Sequence, residues 1–396
     1  MLISSIAHAH IRNKRVLVRV DYNVSLTDKG KIADDVRISQ TIPTIKLLLK
    51  NHNRLILISH LGEPKNRDPK FSLHPVAKDL QEYFPSHKII FVDDFLSEKG
   101  KKQLTRQKRD EILLLENVRF YPGEKANNIT FARQLATLAD IYVNDAFGVS
   151  HRKDASVVSL PKLLPHFAGL LMEKEVQAIG LILNSPKKPV VAIIGGAKVS
   201  TKIPLLYKLT EIADYLLLGG GIATTFLYTQ GFEIGKSFFE KDQKQEVKKI
   251  LVHARNKKTI ILLPRDTICA SAKDATDTTE IAINHLPKEK IITDIGSETE
   301  AIFGNIIAQA NTIVWNGPVG YTEYPLYSRG TEFLYYAITQ NPHCYSVVGG
   351  GDTLAAISKK EYVEKISHIS TGGGAMLEFI EKGTLPGIEA LKEKYL

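Results

Sequence analysis

The sequence predicts an α/β fold: two doubly wound parallel-sheet domains joined by a connecting helix. Three observations predict it. Short apolar runs alternate with amphipathic stretches along the chain, the rhythm of parallel strands covered by helices on both faces. That rhythm occurs twice, on either side of a proline-bearing break, in a chain whose 396 residues exceed an ordinary single core. In the second half the apolar runs end in glycines: Gly195-Gly196, Gly219-Gly220-Gly221, Gly349-Gly350-Gly351 and Gly372-Gly373-Gly374. Glycine at a strand-to-helix turn lets backbone approach a ligand, and N–H groups at a helix start favour anions. One such turn is common in any α/β protein. Four in one half point to a shared phosphate-binding edge, and so to a nucleotide or phosphorylated metabolite.

In the first half, strands are expected over 16–20, 55–59, 88–92, 112–115 and 141–144, with helical stretches over 38–50, 75–83 and 131–138. The second half repeats the pattern, with strands over 190–194, 215–218, 345–348 and 366–369. Between the halves, Leu170, Leu171, Val176, Ile179, Leu181 and Ile182 give 167–183 the apolar face of a connecting helix. It ends before the polar break Asn184-Ser185-Pro186-Lys187-Lys188-Pro189, the expected domain boundary.

Composition bounds the function. Hydrophobic content of 43% and charged content of 24% suit a soluble globular protein. Cys269 and Cys344 lie far apart, unlike a disulfide framework or metal site, and fit a reducing cytosol. The N-terminus lacks signal-peptide regions, and no stretch approaches the roughly 20 apolar residues of a membrane helix. A cytoplasmic location is expected. Fifty-two Lys and Arg against 43 Asp and Glu give a formal charge of +9. These cations are dispersed, and the densest cluster, 101–109, reads as a solvated helix face. A small anionic substrate accounts for the excess better than nucleic acid does.

Polar residues follow each early strand. Asp21 and Asn23 alternate in RVDYNV, positioned to contact hydroxyls, although turn chemistry alone also favours Asp and Asn. His60 follows the second strand, Arg119 the fourth, and His151 with Arg152 the fifth; Arg37 follows Asp34-Asp35 near a helix start. A lone arginine is usually a surface residue. Repeated placement at strand ends instead suits a small polyanion, which guanidinium forks bind well.

In the second half, GGAKVSTK sets Lys198 and Lys202 at i, i+4, expected on one helix face and directed at one anion. GGGDT places Asp352 and Thr353 at a helix start, where they can cap it; beside phosphates, Asp352 can instead hold Mg²⁺. Glu323 in VWNGPVGYTE is suited to ribose hydroxyls. Two decoys fail. Gly231 to Ser237 has three residues between its glycines where a P-loop needs four, and no G-x-G-x-x-G follows the first strand.

Together these residues resemble the phosphoglycerate kinase family over the whole chain. RVDYNV, DDVRI, SHLG, ENVRF, VNDAFGVSHR, GGAKVSTK, GGGIATTF, VWNGPVG, GGGDT and STGGGA occur in family order and spacing. The resemblance implies reversible transfer of the acyl phosphate of 1,3-bisphosphoglycerate to Mg-ADP, giving 3-phosphoglycerate and ATP in glycolysis. It implies a phosphoglycerate-binding domain over 1–168, a connecting helix and hinge over 169–185, and a nucleotide-binding domain over 186–382. The tail 383–396 is expected to pack back on the first domain, and the chain to be a monomer.

By motif, Asp21, Asn23, Arg37, His60, Arg119 and Arg152 match the phosphoglycerate contacts. Lys202, Gly220, Gly221, Asn316, Pro318, Glu323, Gly350, Gly351, Asp352 and Thr353 match the nucleotide contacts, with Asp352 towards the metal. Arg37, Lys198 and Lys202, with backbone donors at Gly372 and Gly373, match the catalytic groups around the moving phosphoryl. An ionised ADP oxygen needs no general base, so charge neutralisation, alignment and hinge closure suffice. The family usually reads SHLGRP, whereas Glu63 stands here in the arginine's place and is left out of the expected site. Ser25 replaces a usual proline, and Glu381-Lys382-Gly383 reorders a usual Glu-Gly-Lys. A catalytically silent, partner-binding descendant is the alternative; intact Arg37, Lys198, Lys202 and Asp352 speak against it.

Overall fold

In the computed structural model of the protein, which describes residues 3–27, 29–356 and 360–392, the chain divides into two units. One comprises Met1–Gln177 and Thr384–Leu396, the other Ala178–Gly383. The first holds a parallel sheet of β1 (Arg15–Arg19), β2 (Arg54–Ile58), β3 (Lys88–Val92), β4 (Glu111–Leu115), β5 (Ile141–Asn144) and β6 (His166–Ala168). Their order is β3-β4-β2-β1-β5-β6. Val16 pairs with Leu55 on one side and Ile141 on the other, and Val16, Leu17 and Val18 have no exposed surface. Both faces are covered, so these strands read as continuous apolar runs. The chain leaves β1 towards β2 and β5 towards β6, in opposite directions. The crevice of such a sheet opens at that switch point, beyond the carboxyl ends of β1 and β5.

The second unit repeats the device. Its strands are β7 (Val190–Ile194), β8 (Tyr215–Leu218), β9 (Ile260–Leu262), β10 (Asp266–Ala270), β11 (Thr279–Ala282), β12 (Ile291–Ile295), β13 (Thr312–Asn316), β14 (Tyr345–Gly349) and β15 (His368–Ser370). Six form a parallel sheet in the order β15-β14-β13-β7-β8-β9, with its switch point between β13 and β7. The other three form an antiparallel sheet, β11-β10-β12. The two parallel sheets agree with the predicted α/β class. The antiparallel sheet was absent from the expectation, because its edge strand β11 is short and exposes Thr279 and Glu280.

Several expected helices have other bounds. The stretch 38–50 is two helices, Val36–Ser39 and Ile42–Lys50, the second starting with Pro43 in its first turn. Proline lacks an N–H and is tolerated only where no intrahelical donor is needed. The basic stretch 101–109 is helical only to Thr105. The connecting helix spans Leu170–Asn184, whereas Phe167 belongs to β6. Leu181, expected on its apolar face, is half-exposed. The division between the units falls inside this helix rather than at the polar break after it.

Asp145, just beyond β5, caps the helix start. Its Oδ1 accepts from the N–H groups of Leu171 and Met172 at 2.9 and 3.1 Å. The approach requires Gly169, since a Cβ there would stand 2.2 Å from that oxygen. In the tail, the Gly387 N–H donates to Ser150 O at 2.8 Å, and Leu385, Ile388 and Leu391 are buried.

Candidate active site

At the switch point of the first sheet, β1 runs into Asp21, which is 6% exposed. Asp21 Oδ2 accepts from Arg37 Nη1, and Asn23 Oδ1 accepts from the Gly62 N–H at 2.8 Å. His60 is buried, with Nδ1 at 3.3 Å from Arg19 Nη2 and 3.7 Å from Asp21 Oδ1. A guanidinium only donates, so Nδ1 is the acceptor and the ring proton sits on Nε2. Burial, and then the charges of Arg19, Arg119, Arg152 and Arg37, hold this imidazole well below its ordinary pKa. It is neutral, and its contact with Asp21 is not an ion pair.

Arg19 lay unassigned inside the first motif, yet it is fully buried and anchors this cluster. Its Nε donates to Ser156 Oγ at 2.9 Å, and the Ser156 N–H donates to Glu124 Oε2 at 2.9 Å. A polar chain thus runs from Glu124 through Ser156, Arg19, His60 and Asp21 to Arg37. Burial raises the Glu124 pKa, against the opposing pull of Arg19 and Ser156.

Arg119 is pinned as well. Its side chain is 1% exposed; Nη1 donates to Gly62 O at 2.9 Å and Nη2 to Asp154 Oδ2 at 3.2 Å. Glu63, excluded from the expected site, stands against two of its arginines. Its Oε1 lies 2.9 Å from both Arg119 Nη1 and Arg152 Nη1, and its Oε2 accepts from Lys125 Nζ at 2.9 Å. Burial would raise its pKa, but Lys125, Arg119 and Arg152 outweigh that and lower it. An exposed carboxylate among cations is drawn in by charge alone. His151 lies in the same loop as Arg152, half-buried.

In the second unit, the loops after β7, β13 and β14 are tied by side chains. Lys202 Nζ donates to Gly195 O and Asn316 Oδ1, both at 2.8 Å, and Asn316 Nδ2 donates to Gly349 O at 2.8 Å. Thr353 Oγ1 accepts from the Gly317 N–H at 2.7 Å. Gly350 has φ of +109°, and a Cβ there would meet Asn316 Nδ2 at 2.8 Å, so only glycine fits. Burial lowers the Lys202 pKa to about 8, opposed by Asp352.

Two adjoining clefts open on these loops. One, of about 390 Å³, is walled by Gly220, Gly221, Pro318 and Glu323, with Thr224, Phe238, Lys273 and Tyr321. The other, of about 300 Å³, is walled by Lys202, Asn316, Gly350, Gly351, Thr353, Gly373 and Gly374. Lys198, Pro318 and Asp352 line both. Pockets of this size hold small molecules.

Three expectations need correction. Lys198 and Lys202 do not share a helix face: the helix begins at Ile203, its first turn set by Pro204, so both precede it. Lys202 turns inward while Lys198 stays exposed. Asp352 and Thr353 do not cap their helix, Gly351–Ala355; Gly350 is the N-cap, and the Thr353 hydroxyl serves Gly317 instead. The Gly372 N–H donates to Ser370 Oγ at 3.1 Å rather than towards the cleft. The sequence reading also missed Lys273, whose Nζ sits 4.9 Å above the Tyr321 ring. It comes from the connection between β10 and β11, where no motif signals it.

A sequence model described as phosphoglycerate kinase matches residues 6–383. The phosphoglycerate kinase of Pelotomaculum thermopropionicum is 42% identical over 97% of this chain and 98% of its own length. That of Dictyoglomus turgidum is 44% identical over 97% of both. Among solved structures, a phosphoglycerate kinase from Coxiella burnetii superposes with a TM-score of 0.88 at 39% identity, covering 99% of each chain. Arginines at the switch point of one sheet and glycine loops with lysine at that of the other thus occur in a chain that belongs to the phosphoglycerate kinase family.

Proposed function

We propose that this chain reversibly transfers the acyl phosphate of 1,3-bisphosphoglycerate to Mg-ADP, as a glycolytic enzyme. The observation that carries the reading is a division of chemistry between the units. The first offers guanidinium groups at its switch point; the second offers a cleft lined by glycine loops, Lys202 and Asp352. Asp21, Asn23, Arg37, His60, Arg119 and Arg152 hold the phosphoglycerate, with the neutral His60 donating from Nε2. The larger cleft takes the adenosine, with Gly220, Gly221 and Pro318 along its wall and Glu323 on the ribose. Gly350, Gly351, Thr353, Asn316 and Lys202 take the phosphates.

Asp352 is exposed in the first turn of its helix and lines both clefts. Among the described residues, no group of three or more His, Cys, Asp and Glu is arranged to hold a metal. A single carboxylate beside phosphates fits Mg²⁺, which binds through one or two carboxylates plus phosphate oxygens and water. When bound, the ion neutralises charge on the phosphate chain.

An ionised ADP oxygen attacks the acyl phosphorus as the bond to the carboxylate oxygen breaks. No proton moves, so no base is required. Arg37, Lys198 and the Gly373 N–H neutralise the charge on the transferring group. The two sets of residues belong to different units, so transfer requires a closed state reached by hinge motion along the connecting helix. The reading includes a cytoplasmic monomer. No helix among the described residues is long and apolar enough to cross a membrane.

A coupled assay of ATP formation from 1,3-bisphosphoglycerate and ADP tests the proposal. Magnesium-dependent turnover is expected. Absence of turnover with Mg²⁺ present would favour a silent relative.

A further inference from the structure

Three cations converge on one carboxylate in the first unit: Arg119 and Arg152 meet Glu63 Oε1, and Lys125 meets Oε2, each at 2.9 Å. We infer that Glu63 is a built-in competitor of the substrate, occupying the guanidinium groups that clasp phosphoglycerate until the substrate displaces it. The inference rests on the assignment of phosphoglycerate to this patch.

The geometry decides which partner moves. Arg119 is 1% exposed and fixed by Gly62 O and Asp154, so it cannot swing out to meet a ligand. Glu63 is 48% exposed, and Arg152 and Lys125 are 39% and 53% exposed. Glu63 has solvent to retreat into, and Lys125 is free to follow it. Substrate oxygens then take the place of a carboxylate whose ion pairs are mostly solvated and individually weak. Asp154 stays on Arg119 Nη2 throughout, and the exchange keeps an anionic oxygen on Nη1 as well, so the buried guanidinium does not lose its second partner. Its cost falls on substrate affinity. An incoming anion must outcompete an intramolecular carboxylate held at high effective concentration, which disfavours ligands of low charge.

Glu63 acts through Arg119 and Arg152, so it is a positioning residue whose effect falls on KM rather than kcat. Glu63→Gln keeps the shape and removes the charge. Calorimetric titration of 3-phosphoglycerate into the wild type and into this variant measures the effect. Binding is expected to tighten roughly threefold to tenfold, the scale of a few half-exposed ion pairs, with KM falling in parallel and kcat essentially unchanged. Glu63→Ala is expected to reproduce the gain. Unchanged or weaker binding in both variants, or a lower kcat at unchanged KM, overturns the inference. Arg37→Ala separates the two levels. If Arg37→Ala weakens binding while Glu63→Gln does not tighten it, the competitor role alone fails. If Arg37→Ala leaves binding intact, the phosphoglycerate assignment and the competitor role fall together.

Discussion

Lys202 carries its charge at the edge of what burial permits. Its ammonium is held by Gly195 O and Asn316 Oδ1, two neutral acceptors, and burial brings its pKa to about 8. Nucleotide phosphates favour the charged form, so binding above that pH takes up a proton. Nucleotide affinity is therefore expected to fall as pH rises through 8, by up to about tenfold per unit. Lys202→Arg, which cannot deprotonate, is expected to flatten the profile; a titration series from pH 7 to 9.5 checks both. Stability moves the other way. The folded pKa lies below the unfolded one, so the unfolded chain holds more protons between about 8 and 10.5, and this lysine favours folding increasingly across that window. At this scale the sequence is partly legible. Asp21, His60 and Arg119 stand just beyond apolar runs, where polar residues advertise themselves. Arg19 does not, being the last residue of a buried strand. Glu63 is read only with the fold in hand, because Arg119 and Lys125 are 56 and 62 residues away.

Among the elements, the connecting helix depends on one carboxylate from outside it. Asp145 satisfies two N–H groups of its first turn, groups that otherwise lack an intrahelical acceptor. Asp145→Ala is expected to cost about 1–3 kcal/mol, measured as a fall in the urea midpoint of the first unit. Asp145→Asn, which keeps one acceptor, is expected to cost less. Burial raises the Asp145 pKa to about 6, against bonds from Thr44 and the helix N–H groups. The folded state therefore binds the proton more tightly, and stability from this residue declines between about pH 4 and 6 and levels off above. In Asp145→Asn that slope disappears. Neither the cap nor its partner Gly169 is legible locally, since 26 residues separate Asp145 from Leu171. Most of the parallel strands were legible because burial on both faces leaves an uninterrupted apolar signal; the edge strands β6 and β9, three residues each and only partly buried, were not. The antiparallel sheet was not, since polar residues interrupt the apolar runs of β10 and β12 and its edge strand β11 is partly exposed. Helix starts were misread where a proline inside the stretch marks a new first turn.

For the whole molecule, the excess of 52 basic over 43 acidic residues suits substrates that are both polyanions, and each unit opens its crevice at its own switch point. In the proposed mechanism neither crevice alone completes the reaction. In that mechanism cations from both units neutralise one transferring phosphoryl group without a base. Single-turnover phosphoryl transfer with Arg37→Ala and Lys198→Ala, alongside ligand affinities, tests this most directly. Each variant is expected to stay folded and to lose transfer rate by orders of magnitude, roughly 10²–10³-fold as for removal of one oxyanion donor. Lys198→Ala should retain phosphoglycerate affinity, and Arg37→Ala nucleotide affinity. Near-normal transfer in either variant would contradict it.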